Sequence, residues 1–197
     1  MEGNDTSMGG AEIFARSWES GTYGKKDGSP VQGTTPLLEN FISHLRSGSP
    51  LREDRPPIGE VPVVFEGGAG SGDHAIRLVQ EGFVVIANEY SGVAATRIVE
   101  KGRSQLSVLD RARLHVAKGD VLGYLRKQEP ESIAGFYANS LLHTFSPEER
   151  LAVYGAVREV EPRGGLIAVS FKADGDGVQQ NRKRGVDTEA GEVIEDQ

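Results

Sequence analysis

The chain contains no cysteine. That excludes disulfides, thiolate metal sites and a cysteine nucleophile, and it fits a reducing cytoplasm, where we place the protein. It also lacks any apolar run approaching the ~20 residues needed to cross a bilayer, so no membrane association is expected. Basic charge is in short supply: 22 Lys and Arg stand against 29 Asp and Glu, for a net charge of −7. A nucleic-acid partner is therefore not expected, because phosphate neutralisation needs clustered cations. The run Arg182-Lys183-Arg184 lies in a polar tail and reads as solvated. There is no Walker A lysine, no G-x-S-x-G elbow and no H-E-x-x-H pair, which disfavours NTPase, hydrolase and zinc-protease chemistry; no metal is assigned. The opening Met1-Glu2-Gly3-Asn4-Asp5 is acidic, the opposite of a signal-peptide start.

What is present is a chain of 197 residues, enough for one well-cored domain. Residues 1–33 read as a partly disordered N-terminal extension, with one turn at Ile13, Phe14 and Trp18 and a glycine-rich stretch around Tyr23. Trp18 and Tyr23 are candidate lid residues or satellite core contacts. Thr35-Pro36 pairs an N-cap with proline at the first helical position, and Leu38, Phe41, Ile42 and Leu45 follow at helical spacing. Residues 49–59 read as a connector. Strand-like and helix-like runs then alternate. Strands are expected at 61–65, 83–87, 114–117, 133–138 and 166–171. Helices are expected after the first turn, at 92–101, at 121–127 and from Ser146. That last start, Ser146-Pro147-Glu148-Glu149, is a capping box, and Leu151, Tyr154, Val157 and Val160 are placed on its buried face. Strict alternation predicts an α/β, Rossmann-like, doubly wound sheet of about five parallel strands. Residues 173–197 read as a polar tail, loop or disorder.

The chemistry concentrates in one turn. Glu66-Gly67-Gly68-Ala69-Gly70-Ser71-Gly72 follows the first strand, where an open α/β sheet binds its ligand. Gly68, Gly70 and Gly72 permit positive φ and close approach of backbone to ligand. Glu89, at the end of the second strand, is placed to grip a ribose diol. Glu66 decides the ligand's charge: it would repel a pyrophosphate and attract the sulfonium and ammonium of an aminoacyl nucleoside, directly or through water. The competing dinucleotide pattern, Gly70-Ser71-Gly72-Asp73-His74-Ala75, begins four residues beyond that acid and leaves a long turn. Asp120 reads as a helix N-cap before Val121. His74 and His115 are read as structural.

These segments resemble, in order, the motifs of class I S-adenosylmethionine-dependent methyltransferases. The glycine turn is similar to the family's acid-x-Gly-x-Gly-x-Gly motif, and Asn88-Glu89-Tyr90-Ser91 to its acidic second-strand end. Lys118-Gly119-Asp120-Val121 resembles the adenine-binding segment, and Asn139-Ser140-Leu141-Leu142-His143 the loop after the fourth strand. Glu161-Pro162-Arg163-Gly164-Gly165-Leu166 resembles the turn before the fifth. The wording of Ser140–His143 and Ser170–Lys172 is most similar to the small-molecule branch that includes tellurite-resistance-type enzymes. The resemblance implies a methyltransferase-like domain over 34–172 with S-adenosyl-L-methionine as cofactor and S-adenosyl-L-homocysteine as product. It implies methyl transfer to a small-molecule acceptor. The donor grips would be Glu66, Gly67, Gly68, Ala69, Gly70, Gly72, Glu89, Tyr90, Asp120, Val121 and Asn139. His143 and Asn139 would face the transferred methyl, with His143 a candidate base. Two departures stand out. Glu replaces the commoner Asp at 66 and 89, and the family's last two strands find no pattern in the 25 residues after Lys172. That leaves a fifth-strand edge for a second copy or a partner to cover, and it raises the alternative of an incomplete, non-catalytic binding module.

Overall fold

A computed structural model describes residues 10–20, 35–47, 61–161, 165–171, 186–187 and 192–193. Tyr23, the connector, Pro162-Arg163-Gly164 and most of the C-terminal tail lie outside the described residues. Two helices come first, α1 (Gly10–Glu19) and α2 (Pro36–Ser47). The expected alternation follows: β1 (Val63–Gly67), α3 (Asp73–Gln80), β2 (Val84–Glu89), α4 (Gly92–Gln105), α5 (Val108–Arg111), β3 (Leu114–Lys118), α6 (Val121–Leu125), β4 (Gly135–Asn139), a 3-10 turn (Leu142–Thr144), α7 (Pro147–Val160) and β5 (Leu166–Ser170).

The five strands are all parallel, in the order β3-β2-β1-β4-β5. Chain order runs outward from β1 through β2 to β3, then reverses to β4 and β5. The reversal between β1 and β4 opens a crevice at the strands' C-terminal ends. Side-chain alternation along the strands builds two cores. Val64, Val85, Ala87 and Tyr137 face α2, α3 and α4, where Leu38, Phe41, Ile42, Leu78, Val79 and Ile98 are buried. Phe65, Phe136 and Ala138 face the other way, onto α6 and α7. The Phe65 and Phe136 rings stack with centroids 5.9 Å apart. Helices therefore cover both faces, as a doubly wound sheet requires.

The helix starts follow their caps. Thr35 Oγ1 accepts from the Leu38 N–H at 3.2 Å, and the same hydroxyl is 3.2 Å from the Tyr137 hydroxyl, which ties the start of α2 to β4. Both bonds of the Ser146 capping box form.

Four differences from the sequence reading are informative. Residues 10–20 form a helical segment rather than a single turn. The short helix α5 was not expected, although Ser107, whose hydroxyl accepts from the Asp110 N–H at 3.1 Å, is a readable N-cap. On α7 the buried stripe is Val153, Ala156, Val157 and Val160, while Leu151 is 71% exposed, because the core-facing arc begins two residues later. In the tail, β6 (Val186–Asp187) and β7 (Glu192–Val193) pair antiparallel with each other and not with β5. Among the described residues β5 is thus an edge of the large sheet, and α2 packs against it.

Glu161, which caps the C-terminus of α7, carries a measurable consequence of packing. Burial pushes its carboxyl up to about 7, opposed by a hydrogen bond from the Phe136 N–H. A carboxyl whose folded value exceeds its unfolded one adds stability below the unfolded value and loses it as pH rises to the folded one. Stability attributable to Glu161 should therefore decline from about pH 4.5 to about pH 7 and level off above. Glu161→Gln should flatten that decline and, at about pH 8, raise unfolding free energy by on the order of 1–3 kcal/mol, read by urea titration at several pH values.

Candidate ligand-binding site

The crevice between β1 and β4 is an open cleft of about 990 Å³ counting the solvent at its mouth. Its floor is the glycine turn. Gly68, Gly70 and Gly72 all have positive φ, 64°, 55° and 79°, as the sequence predicted from their spacing. Glycine is required for more than φ here. A Cβ on Gly68 would stand 2.9 Å from a Leu141 methyl, and one on Gly72 2.9 Å from Ile98 Cγ1. The turn is fastened to β2: the Ala69 N–H donates to the Asn88 carbonyl at 2.9 Å, and the Gly70 N–H to Glu89 Oε2 at 2.8 Å.

Glu89 is the hinge of this arrangement. Its other oxygen, Oε1, accepts from the Ser91 N–H at 2.9 Å, so one carboxylate holds both the glycine turn and the start of α4. Burial pushes its pKa up, and the N–H groups of Ser91, Gly70 and Tyr90 pull it back. Asn88 beside it donates to the carbonyls of Ala117 and Gly119, each at 3.1 Å, and fixes the loop after β3. Asp120 in that loop is an N-cap, accepting from the Gly123 N–H at 2.6 Å, and also lines the cleft. The N-cap reading holds, and the residue stands where a ligand in the cleft would meet it.

The β4 side is held by Ser170. Its hydroxyl donates to Asn139 Oδ1 at 2.6 Å and accepts from the Ser140 N–H at 2.9 Å. Ser140 sits at φ 54°, an uncommon conformation for a residue with a Cβ, kept by this link to β5. Beyond it Leu141, Thr144 and Phe145 complete an apolar wall. Trp18, only 4% exposed, comes from α1 to the opposite side, with the Arg97 guanidinium 5.1 Å from its ring centroid.

The charges in the wall are of one sign. Asp73, Glu89 and Asp120 line the cleft, and no Lys or Arg does among the described residues. Asp73 is partly neutralised by Lys101, whose Nζ is 2.8 Å from Oδ1. A pyrophosphate would meet carboxylates here, whereas a cationic nucleoside would be favoured.

Solved structures of similar shape agree on one fold. The glycopeptide N-methyltransferase MtfA, complexed with sinefungin, matches at a TM-score of 0.53 with 19% identity, over 71% of this chain and 54% of its own. Magnesium protoporphyrin IX methyltransferase ChlM from Synechocystis PCC 6803, with bound SAM, matches at 0.58 with 13% identity, over 80% of this chain and 74% of its own. A structure titled for conversion of a disulfide bond into a thioacetal group during echinomycin biosynthesis matches at 0.60 with 18% identity, over 87% and 64%. The fold is that of the class I S-adenosylmethionine-dependent methyltransferases. No protein-family model matches the chain, and no curated protein matches it in sequence. The chain spans 54% of the length of the MtfA structure and 64% of the echinomycin one. The tellurite-resistance-type branch is not singled out by these similarities.

Within the methyltransferase fold, the predicted donor residues divide into two groups. Gly68, Ala69, Gly70, Glu89, Tyr90, Asp120, Val121 and Asn139 all line the cleft. Glu66, Gly67 and Gly72 do not: they lie beneath it, with Glu66 only 2% exposed. Glu66 would act on a ligand from behind His74, which stands at the cleft wall. The 3-10 turn presents Leu141, Thr144 and Phe145 to the cleft, and His143 is not in its wall. The sequence reading missed His74, Ser71, Asp73, Ser140, Leu141, Thr144 and Phe145 as wall residues. Their adjacency to the glycine turn and to Asn139 was the available signal. No group of three or more His, Asp or Glu is arranged to hold a metal, and no helix is long and apolar enough to cross a membrane, among the described residues.

Proposed function

We propose that this cleft binds S-adenosylmethionine and that the chain transfers its methyl group to a small-molecule acceptor. The single observation that carries the reading is the all-acidic charge of the cleft wall at the methyltransferase fold's switch point. Glu89 would take the ribose diol through lone pairs left after its two backbone bonds. Asp120 and Val121 would flank the adenine, and Tyr90, 40% exposed at the rim, would cover it. The turn Gly68–Gly70 would pass its backbone along the amino-acid moiety.

When bound, the donor supplies an electrophilic methyl on a sulfonium, which leaves as the neutral thioether of S-adenosylhomocysteine. The chain's part is to align and to exclude water. Asn139 and Ser140, fixed through Ser170, present polar groups to the acceptor side, and Trp18, Leu141 and Phe145 close it with apolar surface. In-line transfer from an activated donor gains much of its acceleration from positioning. His143 is assigned no proton transfer in this geometry.

A second reading is a donor-binding module without turnover. It is favoured by β5 standing as an edge among the described residues, where a second copy or a partner would complete the sheet. Incubation of the full chain with methyl-labelled donor and a panel of hydroxyl, amine and thiol acceptors separates the two. Label recovered in an acceptor supports the enzyme; intact binding with no transfer to any of them supports the module.

A further inference from the structure

We propose that His74, backed by Glu66, is an unassigned contact residue of the donor cleft, and that the two share one proton which is released when a cationic ligand binds. The inference rests on the donor reading above and deepens it. His74 Nδ1 is 3.6 Å from Glu66 Oε1, an ion-pair distance, with side chains only 7% and 2% exposed. His74 lines the cleft and Glu66 does not. The imidazole thus stands between the buried carboxylate and the cleft.

In the absence of a ligand cation the surroundings disfavour a net charge on the pair. The Tyr137 ring meets the His74 ring edge-on, centroids 5.4 Å apart. Glu66 Oε2 has no hydrogen-bond partner among the described residues. Burial pushes the Glu66 carboxyl up, His74 pulls it down, and Glu89 and Asp73 push it up again. Ionisable groups near the pair among the described residues include Glu89 at the end of β2, Tyr137 on β4, Asp73 beside His74 on α3 and Lys101 of α4, which is held by Asp73. Asp120, at the start of α6, lines the same cleft, and Arg97 of α4 is stacked on Trp18.

With one proton, the pair is neutral overall whichever residue holds it. Without the proton it is anionic. A sulfonium beside His74 favours the anionic state, so the proton leaves to solvent as the cation binds. The thioether product carries no sulfonium and should release less. The cleft would then discriminate donor from product by charge, and the more so as pH rises.

The test is calorimetric titration of the full chain with S-adenosylmethionine and with S-adenosylhomocysteine, in buffers of different ionisation enthalpy. The window of about pH 5 to about pH 6.7 lies a full unit below the α-amino range of about 7.7–8.0, so the ligands' own ammonium groups stay protonated. In the wild type, the donor-to-product affinity ratio should rise about fivefold across this window, with more proton release for the donor. Glu66→Gln should flatten the ratio and remove the excess release; His74→Gln gives a second reading if the first variant folds poorly, and thermal melts check both. Equal proton release for the two ligands in the wild type, or a slope retained in the variants, overturns the proposal while leaving donor binding intact. No binding of either ligand at any pH overturns the donor reading and this proposal together.

Discussion

Glu89→Ala is expected to lower affinity for S-adenosylmethionine about 100-fold, close to ~2.7 kcal/mol. Three losses combine. The ribose diol would lose the acceptor proposed for it, the Gly70 N–H loses the bond that shapes the glycine turn, and the Ser91 N–H loses its partner at the start of α4. Hydrogen bonds to a charged group contribute about 1.5–3 kcal/mol each, and buried donors left unpaired add to the cost. Glu89→Gln keeps the shape but offers one oxygen where the chain uses two. Its NH2 group would face one of the two backbone N–H groups, and a loss of about tenfold is expected. Calorimetry measures both, with thermal melts separating loss of binding from loss of the turn.

Gly72→Val should be the most damaging single substitution in the turn for stability, costing about 3–5 kcal/mol. Gly72 is at φ 79°, and its absent Cβ would stand 2.9–3.2 Å from three atoms of Ile98. Ile98 is fully buried on α4 and cannot retreat. Strain at φ and overpacking therefore add. Gly82 provides the control: at φ 93° a Cβ there meets nothing within 4 Å. Gly82→Ala should cost only the conformational part, about 1–2 kcal/mol. Urea unfolding of the two variants separates strain from packing, and a Gly72→Val cost no larger than that of Gly82→Ala would refute the packing account.

Much of this architecture was legible because it is local. Strand and helix alternation follows from hydrophobic period, the turn from glycines whose φ had to be positive, and Glu89 from its place at a strand end. The two faces of the sheet could be read from alternation, as Val64 and Phe65 show by entering different cores. What depended on distant contacts was not legible. Trp18 was readable as a lid residue or a core contact, but its seat depends on α1 packing on α4, where the Arg97 guanidinium lies over its ring. No spacing rule joins residue 18 to residue 97. His74 was read as structural, and it is buried, yet the same ring lines the cleft. That Glu66 is buried behind His74 was not readable either. As a β-strand residue its side chain alternates away from the ligand, toward the core shared with Tyr137. His143 was placed by its position in a motif, and a 3-10 turn rotates its neighbours into the cleft instead.

The central claim is that an acidic cleft on a methyltransferase fold selects a sulfonium nucleoside over a dinucleotide. Isothermal titration of the full chain with S-adenosylmethionine and, separately, with NADH tests it most directly. The account predicts saturable, one-site heat with S-adenosylmethionine, weakened by Glu89→Ala, and none with NADH. Saturable binding of NADH with no heat from S-adenosylmethionine would contradict it.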